Sequence, residues 1–360
     1  MLKRIITLAE RTRTRLAVMA SSVFLCCGIT DSVQALPFNQ IHQVYFFGDS
    51  LSDSGFNNLL PFTPNFPAGK APTYTTYGGY TWSQYVARDV KGFLLPVGYP
   101  VPNPPDTITN NTTPLSLPVV APVSPVLDGV CYAAGGSTTN STGVGTPYAP
   151  SLAAQVSNFL NQVVIEPNDV IFVWSGANDL LKLLLSPTPP TQFQLLMAAN
   201  YAATNIANQV ALLSDRGARR IVIMSLPNIG YTPLILGAAA SNPSLPASIK
   251  SVTFSFNSML NQSIGKVIAS HPYTKVLYVD VYDLLDNVIL AAQQGKPYVV
   301  AGKTFNFVNY NTPACGNVIS ALFCPPGTPA GYIFADTLHP TDEAHRLLSL
   351  YVESQIYNWA

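Results

Sequence analysis

Short apolar runs alternate along the chain with longer segments whose apolar positions recur every three or four residues. Gln43–Phe47, Val170–Trp174, Arg220–Ser225 and Val276–Asp280 read as buried strands, and Gly129–Ala133 as a weaker one. Gly79–Val90, Ser151–Val163, Phe193–Arg216, Ser248–Ala269 and Thr341–Tyr357 carry the helical period. Strands alternating with helices imply an α/β fold, with parallel pairing and helices on both faces of one sheet. Such sheets carry their sites beyond the carboxyl ends of the strands. Residues 94–126 depart from the pattern: they are rich in Pro, Thr and Asn, and neither helix nor regular strand is expected there. They read as a loop insertion within a single domain spanning 36–360.

Composition narrows the class. Hydrophobic residues make up 48% of the 360 and charged residues 10%, enough apolar material for a large core and too little charge for a disordered or nucleic-acid-binding protein. Lys3, Arg4, Arg11, Arg13 and Arg15 precede an uncharged stretch, Leu16 to Thr30, and Val33–Ala35 offers small residues for a signal peptidase. Residues 1–35 therefore read as a signal peptide, and secretion is the expected localisation. That segment holds five basic and two acidic residues, which leaves 13 and 16 beyond it and no basic patch to draw in nucleic acid. Of the cysteines beyond it, Cys315 and Cys324 close a short loop that an oxidising compartment would pair, and Cys131 reads as a buried thiol. No set of His, Cys and Asp has zinc-ligand spacing, and no metal or cofactor is expected.

The chemistry begins at "FFGDSLSDSG", where an apolar strand breaks at Ser50. A serine there is either a helix cap or a nucleophile. A nucleophile needs a base within reach, and the four histidines can be taken in turn. His42 precedes the first strand, His271 stands in a helix-to-strand loop, and His345 lies on the last helix, where it is expected to be solvated. His339 stands in "FADTLHPTDEAH", three residues after Asp336 and before a stiffening Pro340. An Asp-x-x-His turn lets the carboxylate fix one imidazole tautomer and leaves the other nitrogen for a serine; a capping Asp beside a structural His is the other reading. Asn178 in "WSGANDLL" follows a strand, and Gly135–Gly136 in "CYAAGGS" follows the weaker one. An amide NH₂ and accessible backbone N–H groups there are candidate oxyanion donors or ordinary turn residues.

Taken together, Ser, Gly, Asn and Asp-x-x-His in this order resemble the GDSL lipases and esterases, also called SGNH hydrolases, across most of residues 43–350. "FGDSLSDSG", "YAAGGS", "GAND" and "DTLHP" match the family's first, second, third and fifth blocks. The resemblance implies a three-layer α/β/α sandwich with a parallel, flavodoxin-like central sheet. It also implies Ser50 as nucleophile, His339 as base and Asp336 as its orienter, with Ser50 N–H, Gly136 and Asn178 forming the oxyanion hole. Cys131 stands where the second block usually opens with Asn, so that turn is expected to be held differently. "GDSLS" is not the G-x-S-x-G elbow, since Ser52 occupies its last position.

The form of the first block, the leader and the cysteine loop before "DTLHP" look similar to the secreted bacterial lysophospholipase A and glycerophospholipid–cholesterol acyltransferase branch. That implies a lipid ester substrate, a sterol as possible acyl acceptor and transient contact with a membrane surface. The alternatives are a GDSL esterase acting on carbohydrate acetyl or short-chain esters, and a secreted binding protein on a hydrolase fold.

Overall fold

Val44–Gly48 (β1), VYFFG, is buried along its whole length, as a strand covered on both faces must be. The computed structural model describes residues 40–56, 73–91, 93–96, 100–101, 115–116, 128–146, 148–316, 324–357 and 359. The expected signal peptide, most of the 94–126 insertion and residues 317–323 of the cysteine loop lie outside them. Phe93–Pro96 (β2), Asp128–Cys131 (β5), Val170–Trp174 (β6), Arg220–Met224 (β7) and Lys275–Val279 (β8) join β1 in one six-stranded sheet, in the order β2-β5-β1-β6-β7-β8. Every pairing in it is parallel. Without the edge strand β2 the order is that of a flavodoxin-like sheet, whose strand order reverses beside β1.

Register on the sheet sets the layers. Alternate side chains of a strand point to opposite faces. Tyr45 and Phe47 meet Phe159 of helix α2 (Leu152–Gln162), with ring centroids 4.7 and 5.3 Å away. Phe46 meets Trp82 of α1 (Trp82–Lys91) at 5.4 Å. Helices therefore cover both faces, and the α/β/α sandwich expected from the alternation is present. Ala177–Leu184 (α3), Gln192–Asp215 (α4), Pro233–Ala238 (α5), Leu245–Ser270 (α6), Val281–Gln293 (α7) and Asp342–Tyr357 (α8) complete the α-helices among the described residues. The longest contact between helices runs along α4 and α6, and α1 packs on α8.

Three features differ from the sequence reading. Part of the 94–126 segment pairs: Phe93–Pro96 lies beside β5, and Pro100–Val101 (β3) pairs antiparallel with Leu115–Ser116 (β4). Proline is tolerated because β2 is an edge strand, with one side free of ladder bonds. Helix α7 is not among the helices expected from the sequence, although Asp280 caps it, its side chain accepting from Asp283 N–H at 3.0 Å. Nor is the hairpin of Tyr298–Val300 (β9) and Lys303–Phe305 (β10), which turns at Ala301 and Gly302, both with positive φ. Among the described residues, no helix is long and apolar enough to cross a membrane.

Candidate active site

Ser50 sits two residues past β1, in a tight turn closed by Ser52 N–H and Asp53 N–H donating to Asp49 O at 3.1 and 3.0 Å. The turn needs a glycine before it. Gly48 has φ +145°, and a Cβ there would come 1.9 Å from Trp174 O on the paired strand β6.

The Ser50 hydroxyl faces His339. Ser50 Oγ and His339 Nε2 are 2.8 Å apart, and His339 Nδ1 lies 2.6 Å from Asp336 Oδ2. Nδ1–H donates to the carboxylate, which leaves Nε2 to accept from the Ser50 hydroxyl. Asp336 is fully buried, and its other oxygen accepts the N–H groups of Leu338 and His339, each at 2.6 Å. Ala335 N–H donates to His339 O at 2.8 Å and closes the DTLHP turn. Thr341 Oγ1 then accepts Ala344 N–H and starts α8. The candidate nucleophile, base and orienter, 289 residues apart in sequence at the extremes, are thus brought into one hydrogen-bonded line.

The candidate oxyanion donors come from the loops after β5 and β6. Gly136 has φ +84°, and a Cβ there would meet Val144 O at 2.4 Å. Asn178, in the first turn of α3, donates through Nδ2 to Ser137 O at 2.8 Å, which orients its second N–H. Ser50, Gly136, Asn178 and His339 all line one cavity of about 620 Å³. Its remaining wall is largely apolar, with Leu181, Leu284, Val288, Phe307, Ile333 and Leu347 among its members.

Several buried groups that sequence reasoning passed over brace this arrangement. Gln155 of α2 accepts Gly48 N–H at 2.8 Å and donates to Gly48 O and Ser137 Oγ at 2.7 and 3.0 Å. Asp179 accepts Thr139 N–H and Oγ1–H at 3.0 and 2.7 Å, which ties α3 to the glycine loop. Burial pushes the Asp49 carboxyl up to about 7; Leu51 N–H donates to one of its oxygens, and the other has no partner. The signal was present in each case, a polar residue inside or beside a motif, but the partners lie far off in sequence. Cys131 resolves the departure in the second block. Its buried thiol donates to Ser52 O at 3.2 Å and ties β5 to the Ser50 turn, and burial pushes its pKa up to about 12.

His345 departs from expectation. It is fully buried, not solvated. Its Nδ1 accepts Trp82 N–H at 3.2 Å and its Nε2–H points to Tyr74 O at 3.4 Å. Burial drives its pKa down to about 3, so the ring is neutral. The tie has a use at the site: the Tyr74 ring packs 4.8 Å from that of His339. Cys315 and Cys324 form a disulfide, and Cys315 N–H donates to Ala335 O at 2.7 Å, directly before Asp336. Among the described residues, no three His, Cys, Asp or Glu side chains cluster as a metal site would.

The profile of the family described as GDSL-like Lipase/Acylhydrolase matches residues 44–352, a span that holds all four motif blocks. The chain belongs to this family. Two GDSL esterase/lipases of Arabidopsis thaliana are similar to it over nearly their whole length. One is 26% identical over 360 residues, 91% of this chain and 90% of the relative. The other is 27% identical over 370 residues, 92% and 93%. A solved structure of a G-D-S-L family lipolytic protein from Veillonella parvula aligns with a TM-score of 0.38 at 13% identity, covering 87% of this chain and 96% of that one. Ser50 lies near the start of the matched span, and Asp336 and His339 near its end.

Proposed function

We propose that this chain is a secreted serine esterase that hydrolyses acyl esters of lysophospholipids and phospholipids. Ser50 is the nucleophile, His339 the general base and Asp336 the residue that holds it. Ser50 Oγ attacks the ester carbonyl carbon and passes its proton to His339 Nε2. The carbonyl oxygen becomes negative and is taken up by Ser50 N–H, Gly136 N–H and Asn178 Nδ2–H. As the C–O bond to the alcohol breaks, the leaving oxygen takes the proton from His339. Water then repeats the sequence on acyl-Ser50: it gives a proton to His339, adds to the acyl carbon, and Ser50 Oγ leaves with that proton.

The observation that carries the lipid reading is the cavity. Ser50, Asn178 and His339 line it together and the rest of its wall is largely apolar, as suits an amphiphile with an ester at one end and a hydrocarbon chain beyond. A surface feature supports contact with lipid aggregates. Residues 183–214 contain no charged side chain, and α4 exposes Phe193, Met197 and Tyr201 at successive turns. Leu185, just past α3, is both exposed and part of the cavity wall. The leader at 1–35 and the Cys315–Cys324 disulfide support export. An alcohol in place of water would turn hydrolysis into acyl transfer, with a sterol the acceptor that the resemblance suggests.

Incubation with vesicles of phospholipid, lysophospholipid and cholesterol, followed by lipid analysis, tests the reading. Free fatty acid should appear with the purified protein and not with Ser50→Ala, and cholesteryl ester would add transfer. Turnover confined to acetylated carbohydrate or short-chain esters would replace the lipid reading with the other esterase. Failure of a fluorophosphonate to label Ser50 would leave a binding protein.

A further inference from the structure

The proposed oxyanion donors Ser50 N–H and Gly136 N–H belong to different loops, and their spacing must hold within about half an ångström for both to serve one oxygen. Strand pairing does not reach that far. The last backbone bonds between the two loops are Tyr132 N–H to Phe46 O at 2.7 Å and Ala134 N–H to Gly48 O at 3.2 Å. Beyond them Asp53 spans the gap. It sits three residues after Ser50, 1% exposed. One oxygen accepts Gly55 N–H and Phe56 N–H at 2.7 and 2.6 Å, and the other accepts Gly135 N–H at 2.8 Å. On its open side Gly135 is confined by Tyr74, whose hydroxyl would lie 2.0 Å from a Cβ there.

We propose that Asp53 is the positioning residue of the oxyanion hole: its carboxylate fixes the Gly135 peptide relative to the Ser50 turn and so aims the next N–H, that of Gly136, at the substrate oxygen. Asp53 touches neither substrate nor reacting atoms. The inference rests on the serine hydrolase reading above. Three N–H donors on two oxygens require an acceptor at both positions. A carboxylate meets that need, whereas the NH₂ of an Asn would face either Gly135 N–H or the Gly55–Phe56 pair, donor against donor. Burial pushes the Asp53 carboxyl up to about 6, and the three N–H bonds hold it from rising further. It is therefore ionised at pH 8, where the test is made.

The test compares wild type, Asp53→Asn and Asp53→Glu in the full chain, with active sites counted by fluorophosphonate. Absent labelling of the wild type would defeat the serine hydrolase reading; the outcomes that follow concern Asp53 alone. Asp53→Asn should lower kcat per active site about 10- to 100-fold, less than outright removal of a donor, with KM within about twofold. Inhibition by a phenylboronic acid, whose tetrahedral adduct on Ser50 occupies the hole, should weaken by a similar factor. A merely structural role would lower the active-site count and the melting temperature, and leave both ratios unchanged. Asp53→Glu keeps both acceptors and should recover part of the loss. If the Asn variant does not fold, the Glu variant alone must show reduced kcat and boronate affinity at unchanged KM. Wild-type values in the folded Asn variant would overturn the proposal. So would failure of both variants to fold, since a residue that only aims one turn is not needed for folding.

Discussion

An acyl chain in the cavity should be felt methylene by methylene. Val281, Leu284, Leu285 and Val288 line it from one face of α7, a strip about 10 Å long at 1.5 Å rise per residue. Each buried CH₂ contributes about 0.8 kcal/mol, close to fourfold in kcat/KM, so six methylenes from butyryl to decanoyl give at most about 5 kcal/mol, roughly 3,000-fold. Val288→Asn places an amide in that wall. A long chain that covers it removes its water without replacing the hydrogen bonds, at about 1–3 kcal/mol, or roughly 5- to 150-fold. An acetyl ester, which ends beside Ser50, is spared. The assay is a series of p-nitrophenyl esters from acetyl to hexadecanoyl on wild type and variant. The expected result is a rising wild-type series whose decanoyl-to-acetyl ratio falls in Val288→Asn while acetyl turnover stays within a few-fold. A flat wild-type series, or an unchanged ratio in the variant, would refute the assignment of this cavity to an acyl chain.

Ser50→Ala or His339→Ala should each reduce ester turnover by several orders of magnitude, because triad members act as a unit; near-normal turnover in the folded Ser50→Ala protein would end the triad reading. His345 titrates near 6.5 when unfolded and, through burial, at about 3 when folded. Its stabilising share is thus complete above pH 6.5 and lost as the pH falls towards 3, about 2 kcal/mol by pH 5. Urea unfolding at pH 7.5 and 5.0 should therefore show His345→Asn less stable than wild type at pH 7.5 but with about 2 kcal/mol less of the acid-dependent loss; equal losses would mean that His345 is not buried neutral. Replacing Cys315 and Cys324 with Ser should lower the melting temperature, the short loop being worth roughly 3 kcal/mol or less, with little change in turnover while folded. Turnover that changes at constant stability would instead make the loop a gate to Ser50.

The sequence by itself determined the α/β class and singled out the candidate reacting residues. Strand cores such as VYFF and VIFVW are continuous apolar runs, and chemistry-bearing residues follow at strand ends, so local pattern marked Ser50, Gly136 and Asn178 as candidates and the order of the motif blocks gave them their expected roles. The Asp336–His339 pair was legible for the same reason: its bond spans three residues. Only the tertiary structure decided what those residues meet. β1 pairs with β5 on one side and β6 on the other, and this order, which no local pattern encodes, is what gathers three loops at one end of the sheet. The same limit explains His345: a polar residue on a surface helix looks solvated until α1 and the Tyr74 segment are packed over it. It also explains Asp53, Gln155 and Asp179, whose partners lie 82, 107 and 40 residues away. A buried polar group is specified by the partner that satisfies it, and that partner is fixed by the packing of layers, not by neighbours along the chain.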